Sequence, residues 1–519
     1  EGVDYEPVRL NAGEADAPSA AVGHARRSEV FLRVCALEAI SAFGDRLWLF
    51  AIPILFEEIW PKTLLPVAVY NLAMYLLLII LMPISGYLVD RMTRMELLSF
   101  TIIIDNAFVC VASALTLCTS FFMGSEHTLY GLLGATIAAS VVAQFFANTG
   151  TIALEKDWVA VIAKDDTEGL TRLNAWLRRI DLMCKFLAPL GFGLFLQILT
   201  EDRATRIQIG SVVILAWNLF TLGPELYIAY SIYNVVPPLS KKQRKTQASE
   251  SAVDRGQKVC ERVPVIGPFL QGWRIWIQSE VMGTSLGYSL LYGTVLAPGP
   301  LITAYLKTIS IPEGIVGASM GLGAVFGLVG TVVFPYLIKC CSIPAVGFWT
   351  IWLWATSLAP AVAVFFVSDC MGLNMGSPKN RGYVILICVT VGRVWLWAFD
   401  LAETQIMQEW VPTDRRGRVA GTQGSLCTLW TLVVYALAVA YHEPAQFQIL
   451  VYVSFGFVVI GAVCHSLWFI THGSYPAADE DYMNLEVQFL ELKEDGKEVV
   501  DDPPDDHAVV FDEDGLEEI

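Results

Sequence analysis

Residues Val30–Leu55 read VFLRVCALEAISAFGDRLWLFAIPIL, an apolar run long enough for a tilted transmembrane helix. Asp45 and Arg46 sit near its centre. An ionised side chain there costs at least ~2.5–3.5 kcal/mol unless it faces a polar interior. The pair is therefore either functional or a structural ion partner for other helices, and this stretch alone leaves both readings open.

Working outward, the 519-residue chain is 55% hydrophobic and only 16% charged, with mean hydropathy +0.53. Soluble domains average ~25% charged residues, so the composition is that of an integral membrane protein. The net charge of −17 belongs to one end. From Gly473 onward 17 acidic residues face only Lys493 and Lys497, which leaves −2 for residues 1–472. This acidic balance says little about a substrate, and no nucleic-acid footprint is present. The 11 cysteines show neither CxxC nor zinc-like spacing, and Cys340–Cys341 is a vicinal pair at a helix end. Residues 1–27 are polar, without the apolar core of a signal peptide.

Further apolar runs follow at Leu64–Leu88, Met95–Phe122, Leu129–Ala153, Leu173–Leu199 and Ile207–Val235. After a polar stretch come Val281–Leu306, Gly314–Ile338, Ala345–Val367, Tyr383–Val411, Gly421–Tyr441 and Phe447–Ile470. Six spans, a linker and six more predict an all-α integral membrane protein of the 12-transmembrane-helix, major facilitator type. Its substrate site is then expected between two six-helix lobes. The boundaries read as an N-terminal segment 1–27, an N-lobe 28–235, a linker 236–273, a C-lobe 274–472 and a tail 473–519. Arg91, Arg94, Lys164, Arg172, the SKKQRK linker, Lys339, Arg415, Arg416 and Arg418 fall on one side. That side is read as cytosolic, with both termini inside. The acidic tail is expected to be disordered, though its NLEVQFLEL piece has helical spacing.

Several residues could carry chemistry. Gly86, Asp90, Arg91 and Arg94 form a GxxxDRxxR loop that resembles the gating latch of major facilitator transporters. Span three holds Asp105, and span six holds Asn218 and Glu225, seven residues apart and so on one helical face. Gly223-Pro224 between them should break or kink the helix and free carbonyls beside a carboxylate. Asp45, Asp105, Asn218 and Glu225 offer hard oxygen ligands for a divalent cation. The alternatives are separate packing positions or proton-relay carboxylates. Asp181 and Lys185, spaced i, i+4, read as a structural pair. Asn174 and Arg178 suit gating contacts, and Arg393, Asp400 and Glu403 suit a charge network between helices. Pro298-Gly299-Pro300 must interrupt span seven, which is tolerated where backbone lines a cavity or is buried in protein. No histidine lies mid-span; His465 sits near one end of span twelve.

GDRLWLFAIPI, LEKDWVAVIA, LTRLNAWLRRIDL, AWNL, LLYGTVL, MGLGAVFGLVGTVVF, GRVWLWAFDLAETQ and RRGRVAGTQ, in order over Phe31–Ile470, resemble the ferroportin family of iron exporters. The resemblance implies efflux of ferrous iron coupled to proton entry by alternating access, with cobalt and other divalent ions as further cargo. It implies no resident cofactor; the partners are divalent metal ions, protons and the lipid bilayer. Its N-lobe cation site maps onto Asp45, Asp105, Asn218 and Glu225, with Asp105 where vertebrate members have glutamine. The C-lobe site departs: the vertebrate cysteine and histidine positions are Pro300 and Val434, and a further first-helix histidine is Leu49. Control by the vertebrate hormone hepcidin, which needs that cysteine, is not expected. The rival readings are a facilitator of cobalt, nickel or an organic solute, and a non-transporting receptor or scaffold. No nucleophile, base and oxyanion set suggests an enzyme.

Overall fold

The computed structural model describes residues 17–60, 65–164, 166–199, 202–241, 266–366, 376–441 and 443–472. It also describes two short strands at 369–370 and 373–374, and a hairpin at 509–512 and 515–518. Expectations placed on residues 1–16, on 242–265 of the linker and on the NLEVQFLEL piece lie outside the described residues.

The first half runs α1 (Ala17–Ile59), α2 (Leu65–Arg91), α3 (Arg94–Thr119), α4 (Glu126–Thr151), a π-helical segment Ile152–Trp158, α5 (Val159–Ile162), α6 (Thr167–Leu199) and α7 (Arg203–Val235). The second half runs α8 (Ile266–Ile277), α9 (Met282–Leu290), α10 (Pro300–Thr308), α11 (Glu313–Cys340), α12 (Ile343–Ala363), α13 (Pro378–Trp410), α14 (Arg416–Ala440) and α15 (Phe447–His472). Ten of the described helices are long and apolar enough to cross a membrane. Two more spans complete twelve. The charges inside α6 lower its hydropathy, and α9 with α10 form one span broken in the middle. Large apolar side chains such as Phe220 and Val439 point outward, as lipid contact requires and a soluble protein avoids.

Each lobe has its own apolar core. Trp48, Ile52 and Phe56 of α1 pack with Phe192, Ile207 and Ile214 in the first. Ile351, Trp354, Phe399 and Val458 anchor the second. The lobes meet where α2 lies against α14. A Cβ on Gly86 would stand 2.1 Å from the Gly417 carbonyl oxygen, and one on Gly421 would stand 2.4 Å from that of Met82. Only glycine permits this approach, the usual way membrane helices pack without a hydrophobic driving force.

Three elements differ from the sequence expectation. The fourth span continues past Ala153 through the π-helical segment to Ile162. Helix α8 begins inside the stretch read as linker, because FLQGWRIWI carries enough aromatic surface to bury; Trp276 is buried and Gly272 rests on Pro83 and Thr422. At the chain end, β3 (Val509–Asp512) pairs antiparallel with β4 (Gly515–Glu518), where disorder was expected. The β-branched and aromatic residues of VVFD favour extended backbone.

Candidate metal site

Helix α1 sets the site. Glu38, Ser41 and Asp45 follow one another at i, i+3 and i+7 and so share a face. All three line a central cavity of about 240 Å³ between the lobes. Across it stand Arg178 and Asp181 of α6, Glu155 and Lys156 of the π-helical segment, Tyr288 and Tyr292 at the α9 end, Thr404 of α13, and Gln423 and Cys427 of α14. A second, smaller pocket of about 30 Å³ lies inside the N-lobe. Asp105 and Glu225 line it, with Thr101 and, shared with the central cavity, Glu38, Ser41 and Thr151.

The carboxylates divide by their partners. Asp181 accepts from Lys185 Nζ at 2.7 Å and from Arg46 Nη2 at 2.7 Å and Nε at 3.0 Å, and Arg178 stands 3.5 Å away. Its charge is spent on structure. Asp400 receives Tyr288 Oη at 2.8 Å, and Arg178 Nε lies 2.8 Å from its other oxygen, an ion contact without hydrogen-bond alignment. Arg393 does not fill that role; its guanidinium lies over Trp397, 5.0 Å from the ring centre. Seven residues on one helix span about 10 Å along the axis, too far for a direct pair, so the opposite lobe supplies the partner. Glu403, fully buried, accepts from Gln423 on one oxygen, while its other oxygen has no hydrogen-bond partner.

Among the described residues, Glu38, Asp45 and Asp105 make no hydrogen bond or ion pair, and Glu225 accepts from the Asn106 amide at 3.1 Å. Asp45, Asp105 and Glu225 lie within one another's electrostatic reach. Among the described residues, however, no three acidic, cysteine or histidine side chains close around one point. Asn218 is buried and donates back to the Ile214 carbonyl at 2.8 Å, and it lines neither pocket. Nor is α7 broken at Gly223-Pro224: it runs on through Val235. Proline removes a single helical hydrogen bond, to the carbonyl four residues earlier, and a membrane helix tolerates that.

The seventh span is interrupted as expected. Gly299 precedes α10, Pro300 occupies its first turn, and the freed Val295 N–H donates to Ser454 Oγ at 2.8 Å. Pro298 and Gly299 do not line the central cavity; Tyr288 and Tyr292, before the break, do. Val434 is buried in the C-lobe core and Leu49 is partly exposed, so neither offers a ligand atom. His465 is a satisfied core residue, 2.8 Å from Thr284 Oγ1.

One end of the cavity is sealed by contacts between lobes. Asp90 accepts from the backbone N–H of Gly417 at 2.8 Å and of Arg418 at 3.1 Å, and from Arg418 Nε at 2.8 Å. Asn174 and Gln408 exchange amide hydrogen bonds at 2.6 and 3.0 Å. Lys156 reaches Thr404 at 3.1 Å, and Thr171 reaches Gln405 at 2.9 Å. Arg94 forks onto Asp157 at 2.9 and 3.0 Å within the N-lobe, and Arg91 lies over Tyr87. Glu38, Gln405 and Gln408 escaped the sequence reading. The polar run in DLAETQIMQE was the available signal for the two glutamines.

The sequence profile of Ferroportin1 (FPN1) matches residues 28–458, more than three quarters of the chain. The chain belongs to the ferroportin family. Solute carrier family 40 member 1 of Oryza sativa subsp. japonica is 28% identical, over 82% of this chain and 88% of that protein. A bacterial homologue of iron transporter ferroportin, crystallised in an outward-facing state with soaked iron, is 26% identical. It covers 84% of this chain and 98% of that one, with a TM-score of 0.70. The proton:xylose symporter XylE, of the major facilitator superfamily, shares the fold at 12% identity and a TM-score of 0.55. Ferroportins are transporters and not enzymes, and this member is an integral, multi-pass membrane protein.

Proposed function

We propose that the chain exports a divalent metal, ferrous iron foremost, from the cytosol by alternating access coupled to protons. The observation that carries this reading is the set of Asp45, Asp105 and Glu225, acidic side chains without salt-bridge partners beside a cavity sealed at one end. Such carboxylates at membrane depth hold either a cation or protons. Metal and protons therefore compete for the same oxygens, which gives a physical route to antiport. The Lys and Arg asymmetry of the loops makes the sealed end cytosolic, with both termini inside. The cavity is then outward-facing, in keeping with the state of the iron-soaked bacterial homologue. An oxygen-only donor set also admits other divalent ions, so a facilitator of cobalt, nickel or another divalent ion is the second reading.

A metal-panel flux assay in proteoliposomes with an imposed pH gradient tests both. Fe²⁺ flux that carries protons the other way supports the reading, and preference for another ion selects the second. No flux of any ion would leave a non-transporting receptor or scaffold.

A further inference from the structure

We propose that Glu38 is a cation ligand joining the two cavities, so that the metal path follows the Glu38–Ser41–Asp45 face of α1 between the central cavity and the Asp105–Glu225 pocket. The inference rests on the transport reading above and adds a residue to it. Glu38, Ser41 and Thr151 line both cavities, and among them only Glu38 can carry charge. Glu38 is 8% exposed, and among the described residues its side chain makes no hydrogen bond or ion pair. The charged groups facing it are Glu155, Asp181, Arg178, Asp45 and Arg46. Of the cations, Arg178 is held by Asp400 and Asp181 and Arg46 by Asp181, while Lys156, which lines the same cavity, bonds to Thr404. Among the described residues, none of the three forms an ion pair with Glu38.

A carboxylate in this position either stays neutral as packing or receives a cation from outside the fold. Its location favours the second. Asp45 lies about 10 Å further along the same helix face, two turns away. An ion passing between the central cavity and the inner pocket meets, at the wall the two share, only Glu38 and the Ser41 and Thr151 hydroxyls as side-chain oxygen ligands.

The test uses Co²⁺ as probe, with the full-length protein in proteoliposomes and in detergent. Glu38→Gln keeps volume and removes charge; it should bind Co²⁺ more weakly than the parent, with Asp45, Asp105 and Glu225 still present. Its flux should fall by at least about 10–100-fold, the loss that removing even an outer-shell partner of a metal ligand produces. Glu38→Asp should recover most of the flux. Glu38→Gln flux within twofold of the parent would overturn the proposal. A measurement on the parent covers a variant that does not fold. Dicyclohexylcarbodiimide should modify Glu38, read by peptide mass spectrometry, and saturating Co²⁺ should protect it. Protection at Asp105 or Glu225 without protection at Glu38 would also overturn the proposal. Failure of the transport reading looks different: the parent moves no Co²⁺ and none of these carboxylates is protected.

Discussion

At the scale of single residues, two aspartates at membrane depth illustrate opposite uses of charge. Asp181 is surrounded by Arg46, Arg178 and Lys185, whereas Asp45 makes no ion pair among the described residues. Asp181→Asn leaves those cations without their common partner, and breaking a buried pair from one side costs about 3–5 kcal/mol. A clear fall in the thermal unfolding temperature is expected; an unchanged melt would mean the cluster is solvated well enough to dispense with its centre. Asp45→Asn should fold normally and lose both transport and metal-linked proton release. Asp105→Gln should keep transport, with weaker affinity and fewer protons released per metal bound. Proton release in weakly buffered detergent during Co²⁺ titration measures these effects. A variant matching the parent in affinity and proton count would place Asp105 outside the site.

At the scale of elements, the seam between α2 and α14 depends on backbone contact. The Cβ of Gly421→Val would press on the Met82 carbonyl, 2.4 Å away. Overpacking of this kind costs about 1–3 kcal/mol, and the strain falls on the sealed arrangement in which the helices touch. Cys427, which lines the central cavity, should then react faster with thiol reagents applied from the cytosolic side. Unchanged Cys427 labelling in folded protein would show that the seam is not what closes this end. The same scale explains why one proline left its helix unbroken and two others interrupted theirs. Pro224 does not break α7, because a long membrane helix absorbs one lost hydrogen bond. Pro298 and Pro300 do end the regular helix around them, because two prolines flanking a glycine remove too many donors in succession and side chains such as Ser454 take over.

At the scale of the whole molecule, alternating access becomes a balance between contacts at the two ends of the cavity. Asp90 makes three hydrogen bonds across the lobes at the sealed end, one of them with a guanidinium. A hydrogen bond to a charged group contributes about 1.5–3 kcal/mol, enough to shift a two-state population by tenfold or more. A double-mutant cycle of Asp90→Asn with Arg418→Gln, read as flux, should show coupling of that order. Additive effects would mean that the pair does not sense the conformational change.

The sequence alone determined the twelve spans, the two halves and the family, and it named Asp45, Arg46, Arg178 and Asp181 of the central cavity and Asp105 and Glu225 of the smaller pocket. Each follows from local rules: apolar runs set span length, prolines set breaks, and charge at membrane depth is too costly to be accidental. Tertiary structure decided which charges are free. Lys185, four residues on, already marks Asp181 as paired, but Arg46 reaches it only through the packing of α1 against α6, and that packing leaves Asp45, Asp105 and Glu38 without an ion pair among the described residues. Arg178 finds Asp400 from the opposite lobe, 222 residues away in sequence, and no spacing along one helix could reveal that. Glu38, which the sequence reading passed over, joined the site only when folding placed it in the wall of both cavities. Spacing reports which residues share a face of a helix, but the partner that neutralises a charge comes from another helix and is fixed only when the helices pack.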